Sequence, residues 1–132
     1  MSGLNPLRRD QNGSVGFEIA MALPILIALM IGILQVGMVL AANGAMRNAL
    51  GEGLRLAKVD PTATETQVLT RTRQALVGVE ASAIDTLTFD RAVTNNVRRG
   101  TITLTITLNP IIPFAPIPPI VLTETKQIYL PN

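Results

Sequence analysis

The chain has no cysteine and no histidine. Disulfide staples, thiolate nucleophiles, imidazole general bases and the usual zinc ligands are excluded together. The remaining carboxylates and hydroxyls form no catalytic pattern. Ser82 has no histidine to activate it, Asp85 and Asp90 are expected on opposite faces of a strand, and Glu80 is at most their neighbour through the fold. A phosphate-binding GxxxxGK[ST] loop and a dinucleotide-binding glycine motif are missing too. A net charge of +2 gives no basis for a nucleic-acid surface, and Arg98 with Arg99 reads as a solvated turn. The expectation is a protein that is not an enzyme, with no cofactor, no metal and no nucleic-acid partner. At 132 residues there is room for one membrane span and one small domain.

What the chain does have is a charge-free run of 28 residues, Ile19 to Met46, directly preceded by Glu18. A bilayer core about 30 Å thick needs roughly 20 apolar helical residues. Residues 19–42 supply them, with Gln35 as the strongly polar interruption. The run is too long for an ordinary secretory signal, although Ala41-Ala42-Asn43-Gly44-Ala45 imitates a cleavage site. Arg8 and Arg9 precede the span, and cations favour the cytoplasmic side. Arg47, Arg55 and Lys58 pull the other way, partly offset by Glu52. With no second membrane-length segment to return the chain, the expected topology is single-pass, N-terminus cytoplasmic and C-terminal domain outside.

Glu18 needs explaining, because a carboxylate in hydrocarbon is expensive and the apolar run itself carries no cation. A cut after Gly13 would make Ser14 the new N-terminus and Glu18 its fifth residue. The new α-amine, with a reference pKa near 8, would bring a positive charge to the membrane boundary. Pro24 removes the donor that would bond the Ala20 carbonyl. It either bends the helix and adjusts its tilt or opens it locally for packing in a fibre.

Gly37, Ala41, Ala45, Ala49, Gly53 and Ala57 recur every fourth residue, with Gly32 upstream. Such a small-residue row lets helix backbones approach closely in a membrane. Its membrane half is expected to meet partner helices, and Ala49 to Ala57 to pack on the chain's own outer domain. Met46, Leu50 and Leu54 against Arg47, Glu52, Arg55 and Lys58 continue the helix as an amphipathic one to Val59. Gly44 and Gly51 are candidate bends.

After the long helix, Asp60 is expected as N-cap and Pro61 as first residue of a second helix over Thr62–Val77. This helix presents Val68, Leu69, Thr72, Ala75 and Leu76 inward, and Arg71 and Arg73 to water. From Ile84 the period shortens to two, with Ile84, Thr86, Thr88 and Asp90 on one face and Leu87 and Phe89 on the other. Residues 101–108 alternate threonine with isoleucine or leucine, a strand with one buried face. Asn95-Asn96 and Arg98-Arg99-Gly100 make the turn into it, and a last strand is expected at Val121–Leu130. Between these strands, residues 109–119 hold five of the nine prolines among Ile111, Ile112, Phe114 and Ile117. That composition predicts a loop that folds over the helix or faces another subunit.

The segment Arg9-Asp10-Gln11-Asn12-Gly13-Ser14-Val15-Gly16-Phe17-Glu18, followed by Ile19-Ala20-Met21-Ala22-Leu23-Pro24 and the long helix, resembles the TadE-like family of pilin-like proteins from tight-adherence (Tad/Flp) pilus systems. Ala49-Leu50-Gly51-Glu52-Gly53-Leu54-Arg55 extends the likeness, as does the Thr-rich, proline-divided C-terminal pattern. Gln35 and the lack of cysteine depart from relatives that carry an acid late in the span or a stapled outer domain. The resemblance implies an α+β, pilin-like fold. Residues 1–13 would be a basic leader, 14–59 a transmembrane and extended amphipathic helix, and 60–132 a small outer domain with a second helix and a short antiparallel sheet. It further implies cleavage between Gly13 and Ser14 by a prepilin peptidase, with Gly16 offering a rival cut that would leave Glu18 only second. The product would be a minor pilin or pseudopilin whose partners are other pilin-like proteins, the inner-membrane pilus assembly machinery and the lipid bilayer. The competing reading is an uncleaved single-span scaffold whose outer domain binds another envelope protein.

Overall fold

A computed structural model describes residues 12–112 and 116–131. Residues 1–11 of the expected leader, and Phe114 of the proline loop, lie outside the described residues. The order of elements is α1 (Asn12–Val59), α2 (Glu65–Ala75), a short 3-10 turn (Ala81–Ala83), β1 (Ile84–Thr94), β2 (Val97–Leu108) and β3 (Ile120–Tyr129). The arrangement is α+β: one long apolar N-terminal helix, a second helix and a three-stranded antiparallel sheet in the order β1-β2-β3.

The 48 residues of α1 run through Pro24 without a break. Alanine, leucine and methionine favour the helix, and it ends where the Asp60 N–H makes a last bond to the Leu56 carbonyl (2.9 Å) just before Pro61. The residue before a proline is pushed out of the helical region. Asp60 then shapes a turn: its Oδ1 accepts from the Thr62 N–H (2.9 Å) and hydroxyl (2.6 Å). These two bonds, the hydroxyl first, hold the Asp60 carboxyl below its ordinary pKa.

The second helix therefore starts later than Asp60-Pro61 suggested. Its N-cap is Thr64, whose hydroxyl accepts from the Gln67 N–H (3.3 Å) while Gln67 Oε1 accepts from the Thr64 N–H (2.7 Å). This reciprocal capping box satisfies two of the helix's orphan donors, which the Asp60 side chain, engaged with Thr62, does not reach. Val68, Thr72 and Leu76 are buried as their spacing predicts. The buried Thr72 hydroxyl donates to the Val68 carbonyl (2.9 Å). Arg71, six residues beyond Glu65, crosses instead to Glu52 of α1 (3.2 Å).

Asn95 and Asn96 both take positive φ (52° and 64°), making the two-residue turn whose twist matches a hairpin. Arg98, Arg99 and Gly100 belong to β2, not to the turn. The start of β1 also differs from simple alternation. The register slips between Ile84 and Thr86, so Asp85 is an extra, bulged residue. The bulge returns Ile84 to the inner side with Leu87 and Phe89. It also puts Asp85 on the outer, threonine face, where it accepts from the Thr107 hydroxyl (2.5 Å). Asp90, opposite Thr101, shares that outer face. The two aspartates thus do not lie on opposite faces.

Ile102, Leu104 and Ile106 of β2 are fully buried. They close on Met46, Leu50 and Leu54 of α1 and on Val68 of α2 to form the core. On the other face, threonines pair across strands, Thr103 with Thr125 (3.1 Å) and Thr105 with Thr123 (3.0 Å). Their hydroxyls satisfy one another, and the face is polar, with Asp85 and Asp90 along its β1 side.

Candidate functional site

The long helix is two different objects end to end. From Val15 to Leu40 most of its large apolar side chains are exposed, Phe17 67%, Ile25 72%, Leu34 65% and Leu40 67% among them. That stretch is long and apolar enough to cross a membrane, and aliphatic surface on this scale exceeds what a water-soluble monomer leaves uncovered. Glu18 and Pro24 sit in its first turns, both exposed, and Gly13 and Ser14 lie in the backbone of the opening turn. From Ala42 the same helix enters the core, with Ala42, Met46, Ala49, Leu50, Leu54 and Ala57 all buried.

The small-residue row crosses this boundary. Gly37 and Ala41 are exposed, Gly32 and Ala45 half-buried, and Ala49, Gly53 and Ala57 buried. A step of four residues turns about 40° around a helix with 3.6 residues per turn, so the row from Gly37 to Ala57 winds by roughly 200°. Its C-terminal end faces the chain's own domain, and its N-terminal end faces away. At Gly53 the approach is tight: a Cβ there would collide with Thr72 Oγ1 and stand 2.9 Å from Ile102 Cδ1. At Gly37 nothing lies within 4 Å, and that backbone is open to another helix.

Surface ion pairs and one part-buried hydrogen bond link the elements around the C-terminal half of α1. Arg47 donates to Glu124 of β3 (3.0 Å), and Glu52 holds Arg71 of α2 (3.2 Å) and Arg55 on its own helix (3.8 Å). On the far side, Arg91 Nη2 donates to the Ala63 carbonyl (2.6 Å) and its guanidinium lies 5.2 Å from the centre of the Phe89 ring. Sequence reading does not find these pairs. Opposite charges 77 positions apart, like Arg47 and Glu124, have no local signature.

Below the domain, residues 108–112 descend beside α1. Gln35 Nε2 donates to the Ile111 carbonyl (3.3 Å). Ala41, Ala42 and Gln35 line one wall of a cleft of about 200 Å³ whose other wall is Val77, Gly78, Leu108 and Pro110. Among the described residues, no group of three or more acids could hold a metal ion.

The TadE-like protein family model matches residues 13–55, the stretch that contains Glu18, Pro24, the exposed apolar helix and its entry into the core. Neither a curated protein nor a solved structure matches the chain. Residues 13–55, about a third of the chain, carry a TadE-like domain.

Proposed function

We propose that this chain is a minor pilin or pseudopilin that supports assembly of a tight-adherence pilus. The observation that carries the reading is a TadE-like segment in which one helix is bare and apolar at its N-terminal end and fused into a folded domain at the other. Pilin-like assembly needs this division: a helix that waits in lipid and then exchanges lipid for neighbouring helices, and a head that stays folded throughout. A prepilin peptidase would cut between Gly13 and Ser14, with the N-terminus cytoplasmic and the outer domain across the membrane.

After that cut, the Ser14 amine and the Glu18 carboxylate are four residues apart, about 6 Å along a helix. Both sit at the inner boundary of the span. Opposite charges at low dielectric attract strongly, so the amine of one subunit and Glu18 of the next can set the register between adjacent helices. The open surface at Gly37 and Ala41 then lets those helices come close. The outer domain presents its sheet and loops to other pilin-like proteins or to the inner-membrane assembly machinery.

N-terminal sequencing of the protein from native membranes tests the reading. A chain starting at Ser14, found with pilin-like proteins, is the expected result. Uniform retention of residues 1–13 in cells with an active prepilin peptidase would instead favour the uncleaved scaffold. Glu18→Ala should insert normally, because it removes a desolvation cost, and should lose incorporation into the complex. Wild-type incorporation would remove Glu18 from the assembly step.

A further inference from the structure

We infer that the end of the sheet remote from the bare stretch of α1 carries a carboxylate-binding cleft whose ligand is an acidic peptide segment of a partner protein. The cleft, of about 300 Å³, is lined by Arg91, Arg98 and Arg99, with Ala57, Pro61, Val93 and Leu130 among its aliphatic walls. Strand register gathers these residues. Phe89 stands opposite Ile102, Arg91 opposite Gly100 and Val93 opposite Arg98. Alternate residues share a face, so Arg91, Val93 and Arg98 extend the inner face of the sheet beyond the buried Phe89 and Ile102. The helix packed on that face ends at Val59.

Among the described residues, the ion pairs engage Arg47, Arg55 and Arg71 and none of the three arginines at the cleft. Arg91 is fixed by its bond to the Ala63 carbonyl and its place over the Phe89 ring. Asp60 feels the charge of Arg91 but gives its Oδ1 to Thr62. The Arg98 side chain has no ion-pair or hydrogen-bond partner among the described residues. Arg99 lies 5.4 Å from the centre of the Tyr129 ring, and its buried Nε has no hydrogen-bond partner among those residues either. A buried donor left unpaired is costly, and the guanidinium fork matches a carboxylate. The walls and the position choose among anions. A small inorganic ion makes no use of aliphatic walls, whereas an acidic side chain flanked by aliphatic residues fills them while its carboxylate meets the arginines. A lipid headgroup has the charge but is in the wrong place. That step rests on the reading of α1 as a membrane span: Ala57 is 17 residues beyond Leu40, about 25 Å further along the helix.

Full-length protein in dodecyl maltoside micelles would be titrated with an acetylated Ala-Leu-Glu-Leu-Glu-Ala amide, with its Gln-for-Glu twin and with inorganic phosphate. NMR would follow the backbone amides and the arginine Nε groups of β1 and β2. The Glu peptide should shift the Arg98 and Arg99 signals, and the Gln twin should not. Losing one charge-assisted bond should weaken binding about tenfold. Arg98→Gln and Arg99→Gln should each do so, with the signals of α2 and of residues 102–106 unmoved. Arg73→Gln, which alters an exposed arginine of α2, should leave binding unchanged. Absence of any shift, equal binding of both peptides, or an equal loss in Arg73→Gln would overturn the inference. Displacement of the peptide by an equal concentration of phosphate, marking a small-anion site, or of phosphatidylglycerol, marking a lipid headgroup site, would overturn it too. Retention of residues 1–13 in native membranes with peptide binding intact would instead sink the pilin reading and leave the cleft standing.

Discussion

Gly53→Ala sets two quantities against each other. In an isolated helix the change is favourable by about 1 kcal/mol, the difference in propensity between glycine and alanine. In this protein the added methyl collides with Thr72 Oγ1 and stands 2.9 Å from Ile102 Cδ1. Both neighbours are fully buried, and Thr72 is held by its bond to the Val68 carbonyl. Overpacking of this kind costs about 1–3 kcal/mol, occasionally more. Because both neighbours are held, the cost should fall in the upper part of that range and outweigh the propensity gain, leaving the domain less stable by about 1–2 kcal/mol as α2 is pushed off α1. Chemical denaturation of the detergent-solubilised protein, followed by the loss of protease resistance in α2 and the sheet, would read it. Thr72→Ala removes the clashing oxygen, so the double variant should be less destabilised than the two single effects summed, by about 1 kcal/mol or more. If Gly53→Ala proves as stable as wild type or more so, helix propensity has won, and α1 and α2 do not approach as closely as described.

Ala41→Leu adds bulk at an exposed position of the small-residue row without reducing hydropathy. Crosslinking in native membranes should show weaker association while insertion and domain stability hold; neutral behaviour of both Ala41→Leu and Ala45→Leu would turn the row toward lipid. The Asp60 carboxyl should titrate below its ordinary value of 3.8, because its hydroxyl and amide bonds from Thr62 favour the charged form. The stability it contributes is present above that ordinary value and fades as the pH falls through the lower folded value. An NMR titration with a midpoint above 3.8 would contradict the turn geometry.

The elements legible in the sequence are those governed by a local period. Alternation over residues 101–108 gives β2 its buried face, and the 28-residue charge-free run gives the span. The start of β1 is misleading, because a bulge inserts one residue and reverses the parity of everything before it. Nothing in Ile84-Asp85-Thr86 marks that insertion. The cap of α2 is misplaced for a different reason. Asp60-Pro61 is one start signal, a capping acid before a proline; Thr64-Glu65-Thr66-Gln67 is another, a capping threonine with glutamine three residues later. The two stand four residues apart, and the reciprocal bond between Thr64 and Gln67 decides for the second. In the candidate site, the small-residue row is legible as a repeat. Its change from exposed to buried midway depends on where the domain sits, which is set by long-range contacts such as those of Gly53 with Thr72 and Ile102.

The unbroken passage of α1 from the exposed stretch into the core fixes an azimuth. There is no hinge segment between anchor and head. Any rotation of the exposed stretch about its axis is carried to the sheet, so the side on which a neighbouring helix packed would set the bearing of the threonine face. Shifting that contact by one residue along the helix would swing the head by about 100°, and by four residues about 40°. If such helices assemble as proposed, their register would thus dictate the compass direction of every head.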